Sequence, residues 1–260
     1  MLEFLDSILV LPTDCLDYIS TFLSNKDIYT LSILSKGNSL EFDDMMCNRR
    51  ISLNKEYSLL YIQDDYFKNK IKTRKLQLDL TNVVKETDIN KFHNLKMVYS
   101  MVLNKNNITG IKMFSRRREN LHRLYLKSNH VQNISPISAL INLNVLHLCH
   151  NIISDISPIS KLKNLKFLCI HNNEIVDISP LSTLKRLFGL DLSYNRIIDI
   201  SPLSNLVNLH NLNLKNNKII DVTPLSNLDK LENLNLKNNN TLDLLSVLKI
   251  TNLDNIQVDL

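Results

Sequence analysis

Glycine is nearly missing from this chain, with three among 260 residues, and proline is sparse, with six. So few glycines cannot supply the positive-φ turns of a long antiparallel sandwich, nor a glycine-rich loop to cradle phosphates, so Rossmann and P-loop enzymes are excluded. Long apolar runs are also absent. No stretch approaches 18 uncharged apolar residues, and the first residues carry acids and helix-capping groups where a secretory leader would be basic. No membrane association is therefore expected, and the chain should stay in the cytoplasm or nucleus. Cysteine is scarce: Cys15, Cys47, Cys149 and Cys169 have no framework spacing, and an intracellular setting keeps them reduced. The excess of positive charge is small. A net charge of +5 and a pI near 8.9 come from scattered runs such as Lys68 to Lys75 and Arg116 to Arg118, which read as a solvated face, so no nucleic-acid partner is expected.

What is present is ordinary in amount and unusual in order. Hydrophobic residues at 44% and charged residues at 22% describe a globular protein whose length allows one or two domains and a large core. Leu121, Leu124, Leu126, Asn129 and Val131 reappear as Leu143, Leu146, Leu148, Asn151 and Ile153, a shift of 22 residues. Asparagine then recurs at Asn129, Asn151, Asn173, Asn195, Asn217 and Asn239. Proline recurs at Pro136, Pro158, Pro180, Pro202 and Pro224 with the same step of 22.

Each unit reads LxxLxLxxN, then an isoleucine-rich turn, then a segment such as Asp155-Ile156-Ser157-Pro158-Ile159-Ser160. In LxL the leucines alternate inward on a short parallel strand and the residue between them faces out. The asparagine amide donates and accepts at once, so stacked copies can satisfy loop backbone groups that would otherwise be buried without partners. Ser-Pro starts the outer segment, with serine suited to an N-cap and proline to the first helical position. Leu162, Leu184, Leu206 and Leu228 should point back to the core. The pattern resembles the leucine-rich repeat family, in the 22-residue class of internalin-like proteins and phosphatase-regulating scaffolds, over roughly residues 73 to 260. The fold expected is α/β: a solenoid with a curved parallel sheet and short 3-10 or helical turns on its convex side. No unit can close a core alone, so the end units should be atypical. Val98, Met101, Leu103, Asn106 and Ile108 fit after a step of 23, while Leu76, Leu78 and Val83 fit loosely with Thr81 at the asparagine position. Ser246 replaces a proline, and Leu253, Ile256, Val258 and Leu260 make a last strand whose edge needs protection.

Residues 1–70 lack the repeat and read as a small all-α domain, followed by repeats over 71–260 in about nine units. Leu16, Ile19, Phe22 and Leu23 share a helical face beginning at Pro12, and Ser24 to Asp27 has capping-box spacing before Ile28, Leu31 and Leu34. A third helix is expected within 40–62, through Phe42, Met45, Met46 and Ile51. The run from Leu11 to Leu23, continued by Asp27-Ile28 and Leu34-Ser35-Lys36, resembles an F-box. That resemblance implies docking on the Skp adaptor of a cullin ubiquitin ligase through Leu11, Pro12, Leu16, Ile19 and Leu23, with the repeats selecting a substrate. The bias toward asparagine, isoleucine and lysine is similar to F-box/repeat proteins of large DNA viruses, which would place the chain in a host cell.

Strand geometry arranges the outward residues in columns about 4.8 Å apart. One column reads Tyr125, His147, Cys169, Asp191, Asn213, Asn235; the next reads Lys127, Cys149, His171, Ser193, Lys215, Lys237. Phe167, Phe188 and Tyr194 flank the middle, so the partner-binding face is expected at Tyr125, Lys127, His147, Phe167, Cys169, His171, Phe188, Asp191, Tyr194 and Asn213. His147, Cys149, Cys169 and His171 form a square of zinc-ligand types, but no knuckle sequence converges them, so no metal or cofactor is expected. His147, Cys169 and Asp191 resemble a catalytic trio, yet histidine and aspartate sit two strand spacings apart, about 10 Å, beyond hydrogen-bond reach. The function expected is non-catalytic: a substrate receptor of a cullin-based ubiquitin ligase, or alternatively an interaction scaffold, for example binding a phosphatase or receptor, whose N-terminus is only a helical cap.

Overall fold

The computed structural model describes residues 52–53, 76–82, 84, 98–115, 119–239, 243 and 255–257. Ten strands form one parallel sheet in sequence order: β1 Ser52–Leu53, β2 Leu76–Asp79, β3 Val98–Val102, β4 Arg123–Tyr125, β5 Val145–His147, β6 Phe167–Cys169, β7 Gly189–Asp191, β8 Asn211–Asn213, β9 Asn233–Asn235 and β10 Asn255–Gln257. From β4 to β10 each strand steps 22 residues, and the leucine at its centre pairs with its equivalent: Leu124, Leu146, Leu168, Leu190, Leu212, Leu234, then Ile256. Parallel strands need a crossover, and between β3 and β9 it is one 3-10 turn per unit, as at Ser157–Lys161 and Ser179–Thr183. Among the described residues no helix is long and apolar enough to cross a membrane.

The core is one continuous column. Strand leucines, the isoleucines after each asparagine and the convex leucines all lie in a single buried cluster, with Leu162, Leu184 and Leu206 fully buried and Leu228 3% exposed. At about 25 cal/mol per Å2 of apolar surface removed from water, this burial is the main favourable contribution to stability, and it accrues only when units stack.

The repeated asparagine supplies the polar half of the stack. Asn151 Nδ2 donates to Leu148 O and Cys149 O of its own unit and to Leu126 O of the preceding one, at 3.0, 3.3 and 3.0 Å, while its Oδ1 accepts from Val131 N at 2.9 Å. The same pattern repeats at Asn129, Asn173, Asn195 and Asn217. A second ladder of asparagines, unforeseen from sequence, ties the convex rim: Asn142, Asn164 and Asn208 donate to Glu119 O, Ile141 O and Lys185 O.

Three expectations are corrected. Serine is not the cap of the outer turn, because Ser157, Ser179, Ser201 and Thr223 already lie inside it. The residue two places earlier does the capping, with Asp155, Asp177, Asp199 and Asp221 Oδ1 each accepting the backbone N–H at 2.8 Å. An aspartate turn of this kind fixes the bend before proline, whose missing N–H makes serine's N–H the last one needing an acceptor. The first repeat is also framed differently. Leu78 pairs with Met101 and Leu80 N donates to Val102 O at 2.8 Å, so Leu78 and Leu80 are its LxL pair, and Val84 N takes the bond to Asn106 Oδ1. Leu76, Leu78 and Leu80 alternate alike, and only the neighbouring strand selects the register. Finally, the span 40–62 expected as a helix contains β1, which pairs with β2. The helices expected at Pro12 to Leu23 and after Ser24, with the adaptor-facing residues Leu11, Pro12, Leu16, Ile19 and Leu23, lie outside the described residues.

Candidate functional site

Because the core uses one face of every strand, the other face is where chemistry can vary. Pairing confirms the expected column, with Tyr125, His147, Cys169, Asp191, Asn213 and Asn235 opposite one another across five strand boundaries. A hollow of about 430 Å3 runs across this face, bounded by His147, Phe167 and Cys169 at one side and Asn211, Asn213, Asn233 and Asn235 at the other.

Phe167 forms one wall of it and also borders an adjoining hollow lined by Phe188 and His210. Phe167 and Phe188 are 42% and 38% exposed, with ring centroids 5.6 Å apart, and Phe188 stacks on His210 at 4.1 Å. Gly189 lets Phe167 lie across the strand, since a Cβ there would sit 3.0 Å from the Phe167 ring. Tyr125 and His147 make a second ring pair at 4.9 Å. On the far side, Asn213 and Asn235 each turn Oδ1 to a backbone N–H, of Lys215 and Lys237, leaving Nδ2 to face a partner.

The second expected column is not uniformly outward. Cys149 and Ser193 are buried, at 1% and 3% exposed, while Lys127 and His171 reach solvent. The strand has ended there and the chain is bending into a residue of positive φ, a position repeated at Ser128, His150, Asn172, Tyr194, Asn216 and Asn238 with φ between 53° and 58°. Asparagine tolerates that conformation; Tyr194 holds it with its ring 44% exposed and Lys215 Nζ 5.8 Å from the ring centroid. Tyr194 therefore sits on the turn beyond the strand end, and Phe188 just before the strand start. Gly189, His210, Asn211 and Asn233 belong to the site but were not in the sequence expectation, and Asn235 stood in the expected column without being named for the partner face; the 22-residue frame places Asn211 and Asn233 in the column of Phe167, two and three strands on, and His210 one step from Phe188.

Toward one end, two thiols meet. Cys149 and Cys169 lie diagonally across β5 and β6 with their sulfurs 2.7 Å apart. The contact with Cys169, a hydrogen bond with His147 and the nearby His171 lower the Cys149 pKa to about 5 against the opposing effect of burial. The same contact pushes the Cys169 pKa up, helped by burial and the charges of Cys149 and Asp191. The sequence argument against a catalytic trio considered only His147. The structure brings His171 instead beside Cys169 and Asp191, with ligand atoms within 4.8 Å of one another.

The comparisons agree with this architecture. A family profile described as "Leucine Rich repeats (2 copies)" matches residues 119–161, 141–183, 163–205 and 185–227. No curated protein sequence matches the chain. Among solved structures, an internalin C2 from Listeria monocytogenes is 30% identical with a TM-score of 0.64, over 70% of this chain and 80% of that one. An internalin (inlF) from the same organism is 28% identical with a TM-score of 0.56, over 75% and 66%. The leucine-rich repeat ectodomain of the Arabidopsis receptor kinase HAESA, solved with a peptide hormone ligand, shares the fold at 21% identity and a TM-score of 0.59, over 70% of this chain and 34% of that one. With the 22-residue register, the asparagine ladder and these likenesses in place, the chain belongs to the leucine-rich repeat family.

Proposed function

We propose that the chain is a non-catalytic recognition scaffold whose concave sheet face binds an extended segment of a partner protein. One observation carries this reading: the exposed Phe167–Phe188–His210 ridge stands beside a hollow whose opposite wall is asparagine amides. Exposed aromatic rings lose water on contact, and amides can pair with the polar backbone of an extended chain, so the two walls suit a peptide's side chains and its main chain together. The peptide held by the HAESA ectodomain is a precedent for the fold, not for this surface. Affinity capture from cells with wild-type protein and with Phe167→Ala/Phe188→Ala tests the reading. A partner lost from the double variant supports it; identical partners from both would place binding elsewhere.

The F-box-like run Leu11 to Leu23 supports a narrower role, as substrate receptor of a cullin ubiquitin ligase inside a cell, with the hollow presenting the target. Here recombinant Skp adaptor is the probe. Capture by wild type and its loss in Leu11→Ala/Pro12→Ala is the expected result, and no capture by wild type leaves the scaffold without the ligase role.

A further inference from the structure

Parallel strands that step by 22 residues place unlike positions of neighbouring units in diagonal contact, and at β5 and β6 this gathers metal-ligating side chains into one spot. The ligand atoms of His147, Cys149 and Cys169 all lie within 4.8 Å of one another, and those of Cys169, His171 and Asp191 do the same, so Cys169 is common to both groups. We propose that His147, Cys149 and Cys169 bind one Zn(II) ion, with His171 completing the tetrahedron from the neighbouring position on β6's far end.

Zn(II) prefers thiolate and imidazole, and two sulfurs with two nitrogens is one of its common closed sites. On a tetrahedral ion with Zn–S bonds of about 2.3 Å, two sulfurs stand about 3.8 Å apart. The sulfurs now stand 2.7 Å apart, so binding would part them by about 1 Å, within the reach of side-chain rotation, with any thiol proton released to solvent. Backbone pairing of Val145 to Phe167 through His147 to Cys169 fixes His147 and Cys169, and Cys149 and His171 follow two residues beyond the ends of the same strands. Around them the supports are also in place. The Asn172 amide lies 3.3 Å from His171 Nδ1, the His150 ring meets the His171 ring edge-on at 4.7 Å, and Asp191 stands beside Cys169 and His171. Amides and carboxylates at this distance orient ligating imidazoles.

The same diagonal contact could instead close an oxidised disulfide, and one experiment separates the two. Full-length protein is purified under reducing conditions, stripped with chelator and titrated with Co(II) and then Zn(II), with metal analysis of protein from zinc-replete cells. The expected result is one equivalent bound, a sulfur-to-cobalt charge-transfer band with the intense visible bands of a tetrahedral site, and displacement of that spectrum by Zn(II). Cys169→Ser and Cys149→Ser should each abolish it. Because those variants disturb a buried contact, His147→Ala, at a half-exposed position, gives an independent arm: it should weaken Zn(II) by more than the about 10–100-fold that loss of an outer supporting group costs, whereas Asp191→Asn should stay within that range. Absence of stoichiometric metal in reduced protein overturns the proposal. So does a cobalt spectrum unchanged in the cysteine variants, or protein whose only reactive state toward these sulfurs is a disulfide two mass units lighter.

Discussion

Along the inward column of the sheet the residues are Leu124, Leu146, Leu168, Leu190, Leu212 and Leu234; one position further, facing the other way, they are Tyr125, His147, Cys169, Asp191, Asn213 and Asn235. The two columns belong to the same strands and share the same backbone bonds. The inward one faces the same neighbours in every unit, so a single side-chain volume fits throughout. The outward one faces solvent, where the stack imposes no shape and each unit can carry a different group. Repetition therefore marks what holds the solenoid together, and departures from repetition mark where it can act.

The hardest test of that division is inward. Asn151→Ala removes three donated bonds and one accepted bond at a buried position, and each unsatisfied buried group costs about 1–3 kcal/mol, so a loss of about 3 kcal/mol or more is expected in urea unfolding. A loss under about 1 kcal/mol would show the ladder to be decorative. Outward, Phe167→Ala/Phe188→Ala should leave unfolding within about 0.5 kcal/mol of wild type, as surface changes do. Its partner affinity should fall by about 2 kcal/mol, roughly 30-fold, as for an interface hot spot. Equal effects on folding and binding would dissolve the distinction between the faces.

Smaller effects are expected at the turns. Asp199→Ala loses the bonds from Ser201 N and Oγ at 2.8 and 2.9 Å, and by analogy with helix caps should cost about 1 kcal/mol, read as a lowered melting temperature. Tyr194→Asn is expected to have the smallest effect and the opposite sign. It relieves a left-handed backbone conformation that costs about 1–2 kcal/mol, against loss of an exposed lysine–ring contact of about 0.5–1 kcal/mol, for a net gain of a few tenths or more. Destabilisation by Tyr194→Asn would mean that the ring contributes packing beyond that contact.

Much of the scaffold was legible because it is periodic. The step of 22 placed every central strand, the asparagine ladder and the convex leucines, since a residue type recurring at one interval can only be answering one repeated environment. The frame failed where periodicity was ambiguous. Leu76, Leu78 and Leu80 satisfy alternation equally, so β2's register awaited its partner strand, and Ser157's role was misassigned because it lies inside the turn, its own N–H accepted by Asp155. At the site, columns read from sequence grouped His147, Cys149, Cys169 and His171 in one square but did not say which of them touch. That the two thiols meet across its diagonal, and that His171 stands beside Asp191, only the packed side chains show.

The amino-acid order by itself determined that units of this length stack into a parallel sheet with leucine inside and asparagine at the turn, because each unit carries its own hydrogen bonds and its own share of core. Only the tertiary structure decided which outward groups meet. Side-chain packing sets Phe167, Phe188 and His210 in a ridge beside an amide-lined hollow, and the diagonal of adjacent units brings two thiols within 2.7 Å. Such contacts depend on twist, bend and rotamer across units, which no local pattern records.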